Sequence, residues 1–179
     1  IFHTVNILTN ADNGENKFQK LFRVLTPLIK FRACRDVRKI AGDAMEVRGG
    51  CGYIEEWSDA RILRDSHLGS IWEGTSNIVA LDALRALKKD DNLEVLKNYL
   101  LDISINTKDK NDIKYFKNII NSVFEFAEKE IINNNELASR QLASAIYYLC
   151  CAIFLDQESR YCKSLKDRNK ISKLLIQNK

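Results

Sequence analysis

The sequence predicts an all-α protein built as an up-and-down helical bundle, and three observations lead to this fold class. Of the 179 residues 45% are apolar, with a single proline and only seven glycines, a composition that favours helices over a turn-rich β-sandwich. Apolar residues recur at three- and four-residue steps along most of the chain, as in amphipathic helices. Clusters of Gly, Asn and Asp separate these stretches. The length suits one domain with a substantial core and excludes a multidomain enzyme.

The first half of the chain is predicted to hold one long helix. Residues 1–16 end in an Asn/Asp/Gly cluster, which is typical of a loop, so a strand or a tail left from a preceding domain is expected there. After a short helix, a longer one is expected from about Pro27 to Arg48, because Thr26 offers an N-cap and proline is tolerated at the first helical position. Gly49 would end it as a left-handed C′ residue. The expected apolar face consists of Leu28, Val37, Ile40, Ala41, Ala44 and Val47.

The second half reads as a series of further helices. Ser58 can begin a helix that runs to about Ser66, and Thr75 or Ser76 can cap the next one. The apolar positions of that next helix are Ile78, Leu81, Leu84 and Leu87. Later helices are predicted at about 93–105, 111–133 and 136–165, with a short one near 171–177. The apolar surface of the 136–165 helix, formed by Tyr147, Tyr148, Leu149, Ile153, Phe154 and Leu155, is expected in the core or at a subunit interface.

Charge and cysteine usage narrow the class of protein. The formal net charge is +4, and residues 156–179 carry seven Lys/Arg against three Asp/Glu. At this density a solvated helix face is favoured over a nucleic-acid interface. Five cysteines, an odd number, without a secretory signal pattern predict reduced thiols in an intracellular protein, cytoplasmic or, in a eukaryote, mitochondrial or peroxisomal. No His/Cys pair has metal-ligand spacing, so no metal is expected, and no membrane span is expected either.

Two polar interruptions stand out from the helical pattern. The run Gly-Gly-Cys-Gly-Tyr at 49–53 follows a helix, whereas a nucleotide-binding glycine run follows a strand, so a helix-terminating turn is the simpler interpretation. The run SIWEGTSNI at 70–78 sets Glu73 between Trp72 and Gly74. A solvated turn explains it most simply from the residues alone, and a carboxylate that acts as a general base is the alternative.

Together these motifs resemble the C-terminal helical domain of the acyl-CoA dehydrogenase family. Residues 44–87, AMEVRGGCGYIEEWSDARILRDSHLGSIWEGTSNIVALDALRAL, contain a helix ending in Gly-Gly-x-Gly-Tyr, an Arg-x-x-Arg-Asp segment and an aromatic-Glu-Gly-Thr loop in the family's order. Within the family, the chain most resembles the alkylation-response (AidB-like) branch, on the basis of Trp72 and the stretches LTPLIKFRACRD and RQLASAIYYLCCAIFL. The resemblance implies a four-helix-bundle portion over residues 17–90 and an additional C-terminal helical region over 91–179.

The resemblance also implies a function and a set of site residues. Glu73 would be the general base that removes the α-proton of an acyl-CoA thioester, while the β-hydride passes to FAD. The backbone N–H of Glu73 would bind the thioester oxygen, with Trp72 and Gly74 beside the substrate. The residues implied at FAD are Thr75 and Asn77 and, toward a neighbouring subunit, Glu46, Gly49 and Gly50. Many members have Gln where this chain has Glu46, and an acid near a pyrophosphate is repulsive unless it is paired, for instance with Arg48.

On this interpretation the chain is a C-terminal fragment of an oxidoreductase of fatty acid metabolism. It is expected to be inactive without the family's N-terminal and middle domains, and to assemble as a homodimer or homotetramer in full-length form. The alternative is a non-catalytic module for DNA binding in the alkylation response, or for oligomerisation. The residues expected to contact DNA in that case are Lys163, Lys166, Arg168 and Lys170.

Overall fold

The computed structural model of the chain describes residues 1–107, 110–161, 165 and 167–178, and these contain helices and no strand. The helices are α1 (Phe2–Asp12), α2 (Asn16–Val47), α3 (Gly50–Tyr53), α4 (Asp59–Leu68), α5 (Ser76–Lys88), α6 (Asn92–Ile105), α7 (Lys110–Ile132), α8 (Ser139–Tyr161) and α9 (Arg168–Gln177), with a 3₁₀ turn at Glu136–Ala138 before α8. The predicted all-α class is confirmed.

The hydrophobic core lies between the first half of α2 and helices α5 to α8. Its largest fully buried side chains are Leu21 and Leu28 of α2, Leu87 of α5, Leu96 and Leu100 of α6, Phe116, Ile120 and Phe124 of α7, and Leu142, Ile146 and Ile153 of α8, joined by Ile7 of α1. Each helix contributes residues spaced by three or four, so its apolar stripe faces the others. We call this set the bundle core.

Helix α8 occupies the centre of the bundle. Leu149 and Ile153 are buried, and the remaining residues of its predicted apolar surface are half-buried, so the expected core position is confirmed. By length and composition alone the stretch 136–161 could cross a membrane, but half of its most apolar window is buried inside the protein. A helix packed on several sides in a bundle has the same composition.

Helix α2 runs without a break through the position where a helix start was predicted. Pro27 lies inside it, so the expected N-cap at Thr26 is wrong. The Thr26 hydroxyl donates to the carbonyl of Phe22 at 2.8 Å, within the same helix, and makes no cap. Because Leu25, Pro27 and Leu28 are all buried, we attribute the continuity to tertiary packing, which offsets the one backbone hydrogen bond that proline removes.

The N-terminal segment is helical over Phe2–Asp12, so the strand expected within residues 1–16 is wrong, while their assignment to a tail of a preceding domain stays a prediction. This helix packs along α2 and buries Ile7 completely. His3 stacks on Phe154 of α8 with ring centroids 4.3 Å apart, and burial lowers the pKa of this histidine. The Asn/Asp/Gly cluster marks the end of the helix, not an irregular segment.

The other predicted helices are confirmed with small shifts at their ends. The helices expected at 58–66 and after 75 are α4 and α5, and those at 93–105 and 111–133 are α6 and α7. The 136–165 stretch is helical to Tyr161, and residues 162–164 lie outside the described residues. Helix α9 begins three residues before the predicted 171. The proposed division of the chain at 16/17 and 90/91 stays a prediction.

The second half of α2 and the segments after it expose most of their apolar side chains. The expected α2 face is buried at Leu28 and Ala41, but Ile40 is 65% and Val47 88% exposed. The exposed apolar side chains of this part are Val37, Ile40, Val47, Tyr53, Ile54, Trp57, Ile62, Leu68, Ile71, Trp72 and Ile78. No helix of the described chain packs over them, and we call residues 37–78 the open region.

Candidate functional site

The loop between α4 and α5 has an unusual backbone. The N–H of Trp72 donates to the carbonyl of Leu68 at 2.9 Å, which closes the end of α4. Glu73 and Gly74 then both adopt positive φ, 61° and 114°. Glycine accepts such angles freely, whereas a glutamate in the left-handed region is unfavourable. Strained residues of this kind cluster at functional sites, and this one is the residue to which the sequence assigned the chemistry.

The polar groups of Glu73 are free to engage a ligand. Within the described residues its carboxylate forms no hydrogen bond or ion pair, and its backbone N–H has no acceptor. The side chain is exposed, and the neighbouring Trp72 is 63% exposed. The site therefore offers an acid and a backbone donor at one residue, but the chain does not by itself exclude water from them.

Glu73 lies at a groove of about 480 Å³ between α2 and α5. Its apolar lining comes from Phe22, Pro27, Ile78 and Val79. Its charged lining includes Arg23, Lys30 and Arg85. Arg23 donates two hydrogen bonds of 2.6 and 3.0 Å to the carboxylate of Asp82. An apolar floor beside a carboxylate can accept an alkyl chain next to a proton acceptor.

The start of α5 presents polar groups beside this loop. Thr75 and Asn77 are exposed, and the Thr75 side chain makes no capping hydrogen bond. Ser76 turns the other way and accepts a 3.3 Å hydrogen bond from Arg35 of α2. The free hydroxyl and amide at a helix N-terminus suit a polar or anionic ligand. Sequence reasoning missed Arg35, since no pattern links two residues that are 41 positions apart.

The glycine turn ends α2, as predicted. Gly49 has φ 60° and donates to the carbonyl of Glu46 at 2.9 Å, although its ψ of −138° differs from that of the usual left-handed cap. Gly52 has a different purpose, because a Cβ there would lie 2.2 Å from the carbonyl oxygen of Met45. The absence of a side chain at Gly52 lets α3 pack directly on the end of α2.

The structure does not bring the two groups of predicted FAD residues together. The loop group is fixed to α2 at the level of Arg35 through Ser76, and Glu46 lies eleven residues further along the same helix. At 1.5 Å per residue this is a separation of about 16 Å along the axis. Glu46, Gly49 and Gly50 are all exposed. That the two groups serve different copies of a cofactor stays a prediction.

Arg48 does not neutralise Glu46. Its Nε lies 3.0 Å from a carboxylate oxygen of Asp59, and its guanidinium stacks over Trp57 at 5.1 Å from the ring centroid. Both partners come from the segment after α3, so this arginine holds the start of α4 against the turn. Glu46 has no cationic partner in the part of the chain that the structure describes, so of the predicted FAD residues it suits a pyrophosphate least.

The basic C-terminal residues that the structure describes are paired with acids. Arg168 contacts Glu158, and Lys170 lies 3.0 Å from Asp167. Lys163 and Lys166 lie outside the described residues. Paired cations attract phosphates less than free ones do, and DNA binding by this segment stays a prediction.

The cysteines and acids suggest no further chemistry. Cys150 is buried, which raises the pKa of its thiol, and Cys51 is exposed. Among the described residues no three His, Cys, Asp or Glu side chains are grouped so as to hold a metal ion.

Comparisons with known proteins show that the chain is similar to members of one family. Residues 3–88 match the family described as acyl-CoA dehydrogenase, C-terminal domain. The putative acyl-CoA dehydrogenase AidB of Escherichia coli is 30% identical over 142 residues, 79% of this chain and 24% of that protein. Acyl-CoA dehydrogenase family member 11 of Caenorhabditis elegans is 26% identical over 133 residues, 73% of this chain and 22% of that protein.

A solved structure shows the same fold. The crystal structure of Caenorhabditis elegans ACDH-11 in complex with C11-CoA superposes with a TM-score of 0.87 at 21% identity, over 99% of this chain and 32% of that one. The chain thus spans about a quarter of the length of the curated relatives named above. It belongs to the acyl-CoA dehydrogenase family and carries the family's C-terminal domain over residues 3–88.

Proposed function

We propose that this chain is the C-terminal part of an FAD-dependent acyl-CoA dehydrogenase in which Glu73 is the general base. The reaction removes one hydrogen from the α-carbon and one from the β-carbon of an acyl-CoA thioester. The observation that carries the proposal is the backbone at Glu73, a glutamate at φ 61° with an unpaired carboxylate. Positive φ alone does not mark a base, since Asp90 has φ 49° in the turn before α6. At Glu73 it coincides with a groove that has an apolar lining, and a base must be aimed at a bound substrate.

Glu73 and Gly74 of the loop have separate roles in this reaction. The Glu73 carboxylate takes the α-proton as the electron pair moves toward the thioester carbonyl. Negative charge then develops on the carbonyl oxygen, and the backbone N–H of Glu73, which has no acceptor among the described residues, donates to it. Gly74, at φ 114°, keeps this approach clear of a side chain.

FAD, when bound, supplies the acceptor of the β-hydride. Thr75 and Asn77 fit that cofactor, since both are exposed polar side chains at the start of α5. Gly49 and Gly50 fit a close approach from a neighbouring copy, because no atom lies within 4 Å of a Cβ built on either of them. Glu46 fits only where the partner brings a cation.

The 179 residues alone are proposed to be inactive. A base that removes a weakly acidic proton needs a site from which water is excluded, and both Glu73 and Trp72 are exposed. The open region surrounds them with uncovered apolar side chains. Exposed apolar surface of this kind marks an interaction site, and the proposed occupants are the flavin-binding domains together with a second subunit of a homodimer or homotetramer.

The test is the rate of flavin reduction by an acyl-CoA, measured anaerobically in the flavin-loaded protein that contains this C-terminal domain. Replacing Glu73 with Gln removes the proton acceptor at nearly constant volume, and the rate is expected to fall by about 10²- to 10⁴-fold. The matched control is Glu125→Gln on the exposed side of α7, which should leave the rate unchanged. Reduction at the normal rate in Glu73→Gln would remove Glu73 as the base, and turnover by the isolated 179 residues would contradict the proposed inactivity.

A further inference from the structure

A second cleft, distinct from the Glu73 groove, opens between α2, α7, α8 and α9. Its volume is about 690 Å³, within the usual range of small-molecule sites. The apolar lining consists of Phe31, Ile119, Val123, Phe126, Leu149 and Ile176. Four helices thus surround a space with apolar walls that none of their side chains fills.

Three arginines line the same cleft. Arg32 and Arg35 come from α2, and Arg140 comes from the start of α8. Arg32 is engaged by Asp36 and by the hydroxyl of Tyr148, although its buried Nε–H has no acceptor. Neither Arg35 nor Arg140 forms an ion pair within residues 1–107, 110–161, 165 and 167–178. The cleft therefore carries more positive than negative charge.

The like charges act on one another. Burial, followed by the positive charges of Arg140, Arg38 and Arg32, lowers the pKa of the Arg35 guanidinium, and Asp36 compensates only in part. Arg35 is half-buried and Arg140 is exposed. Neighbouring guanidinium groups repel one another, and a bound anion relieves that repulsion. The lining of the Glu73 groove differs, because it includes two carboxylates, Glu73 and Asp82, and Asp82 pairs with Arg23.

We infer that this cleft binds an anion with an apolar tail, its carboxylate or phosphate head between Arg35 and Arg140 and its alkyl chain among the apolar walls. The negatively charged head would neutralise the guanidinium groups of Arg35 and Arg140, which form no ion pair within the described residues. The tail would cover the exposed parts of the cleft's aliphatic and aromatic side chains. Neither half is sufficient alone, since the guanidinium groups are partly hydrated and the walls around the tail are mainly apolar.

The experiment is isothermal titration of the 179-residue chain with decanoate and with decyl phosphate, below their micelle concentrations. Decanol and inorganic phosphate are titrated beside them as the tail and the head alone. Binding of decanoate, decyl phosphate or both, with much weaker binding of decanol and inorganic phosphate, is the expected result. The stronger of the two amphiphiles identifies the head group that the site prefers.

The double variant Arg35→Gln/Arg140→Gln is expected to bind the preferred amphiphile about 100-fold more weakly, since each charge-assisted contact contributes roughly tenfold. The control Arg61→Gln/Arg64→Gln removes the same charge from α4, outside the cleft, and should bind normally. A second variant, Ala145→Phe, places bulk in the cleft and should weaken binding without changing charge.

Three results would overturn the inference. The first is equal binding of decanol and decanoate, and the second is equal loss of affinity in the two double variants. The third is no binding of either amphiphile at millimolar concentration. Because none of the measurements involves flavin or Glu73, they decide this site whatever the fate of the proposed dehydrogenase activity.

Discussion

The bundle core and the open region are joined by one helix and differ in almost every other respect. In the first half of α2, Leu21, Val24, Leu25, Leu28 and Phe31 are buried, whereas in its second half only Ala41 is. Helix α4 likewise buries only Ala60, while α7 buries two phenylalanines completely. The Gly-Gly-x-Gly-Tyr turn, the Arg-x-x-Arg-Asp segment and the Glu-Gly-Thr loop all lie in the open region. The core thus holds the fold, and the motif-bearing part presents its apolar and polar groups outward.

The largest expected effect comes from the core. Phe124→Ala removes a fully buried ring and should lower the free energy of unfolding by about 3–5 kcal/mol, because a cavity remains. Ile40→Ala, in the open region, should change it by less than about 0.5 kcal/mol. Urea denaturation followed by circular dichroism measures both. Similar losses in the two variants would mean that the open region is packed as tightly as the core.

A smaller effect is expected at the glycine turn. Gly52→Ala places a methyl group 2.2 Å from the carbonyl oxygen of Met45. Because relieving this clash requires the backbone to move, the free energy of unfolding should fall by about 1–3 kcal/mol. Gly50→Ala meets no atom within 4 Å and serves as the control. If Gly52→Ala leaves the urea midpoint unchanged yet abolishes protection of α3 amides from hydrogen exchange, the open region unfolds separately from the core.

The loop should gain stability when its strain is removed. Glu73→Gly relieves a left-handed glutamate and should raise the free energy of unfolding by up to about 1 kcal/mol. Glu73→Gln keeps the strain and should match the wild type. A glycine variant that is less stable than the glutamine variant would show that the Glu73 side chain stabilises the loop.

The smallest effect is one of reactivity alone. Cys51 in the open region is exposed, whereas Cys150 is buried in the core, where burial raises the pKa of its thiol. At neutral pH iodoacetamide should therefore alkylate Cys51 and leave Cys150 unmodified in the folded protein, since only the thiolate reacts. Peptide mapping by mass spectrometry gives the answer. Equal labelling of the two would indicate that the core opens on the time scale of the reaction.

Much of the fold could be predicted because helical periodicity and breaks are local properties of the sequence. The ends of α4 to α7 fall within a few residues of the expected ones for this reason. The predicted helix start at Pro27 was wrong because the prediction considered only the local effect of proline. Long-range packing decides whether α2 continues. The exposure of Ile40 and Val47 could not be predicted either. A periodic apolar face indicates that the face is covered, but the covering surface can belong to the same chain or to another one.

The candidate site was predictable only in part. The Glu-Gly-Thr motif identified Glu73, and the geometry adds its positive φ and unpaired backbone N–H. The groove beside it depends on the approach of α2 to α5, and the contact of Arg35 with Ser76 joins residues far apart in sequence. Such contacts follow from the packing of helices, which no local pattern encodes.

The uninterrupted α2 is long enough that a small bend would displace its far end appreciably. Its 32 residues span about 48 Å, with Pro27 near the bundle core and Val47 about 30 Å beyond it, at the glycine turn. A bend of only about 5° at the proline, where helices bend most readily, would carry that turn through about 3 Å, the length of a hydrogen bond. The position of Gly49 and Gly50 relative to the bundle core therefore depends on how stiff α2 is at Pro27.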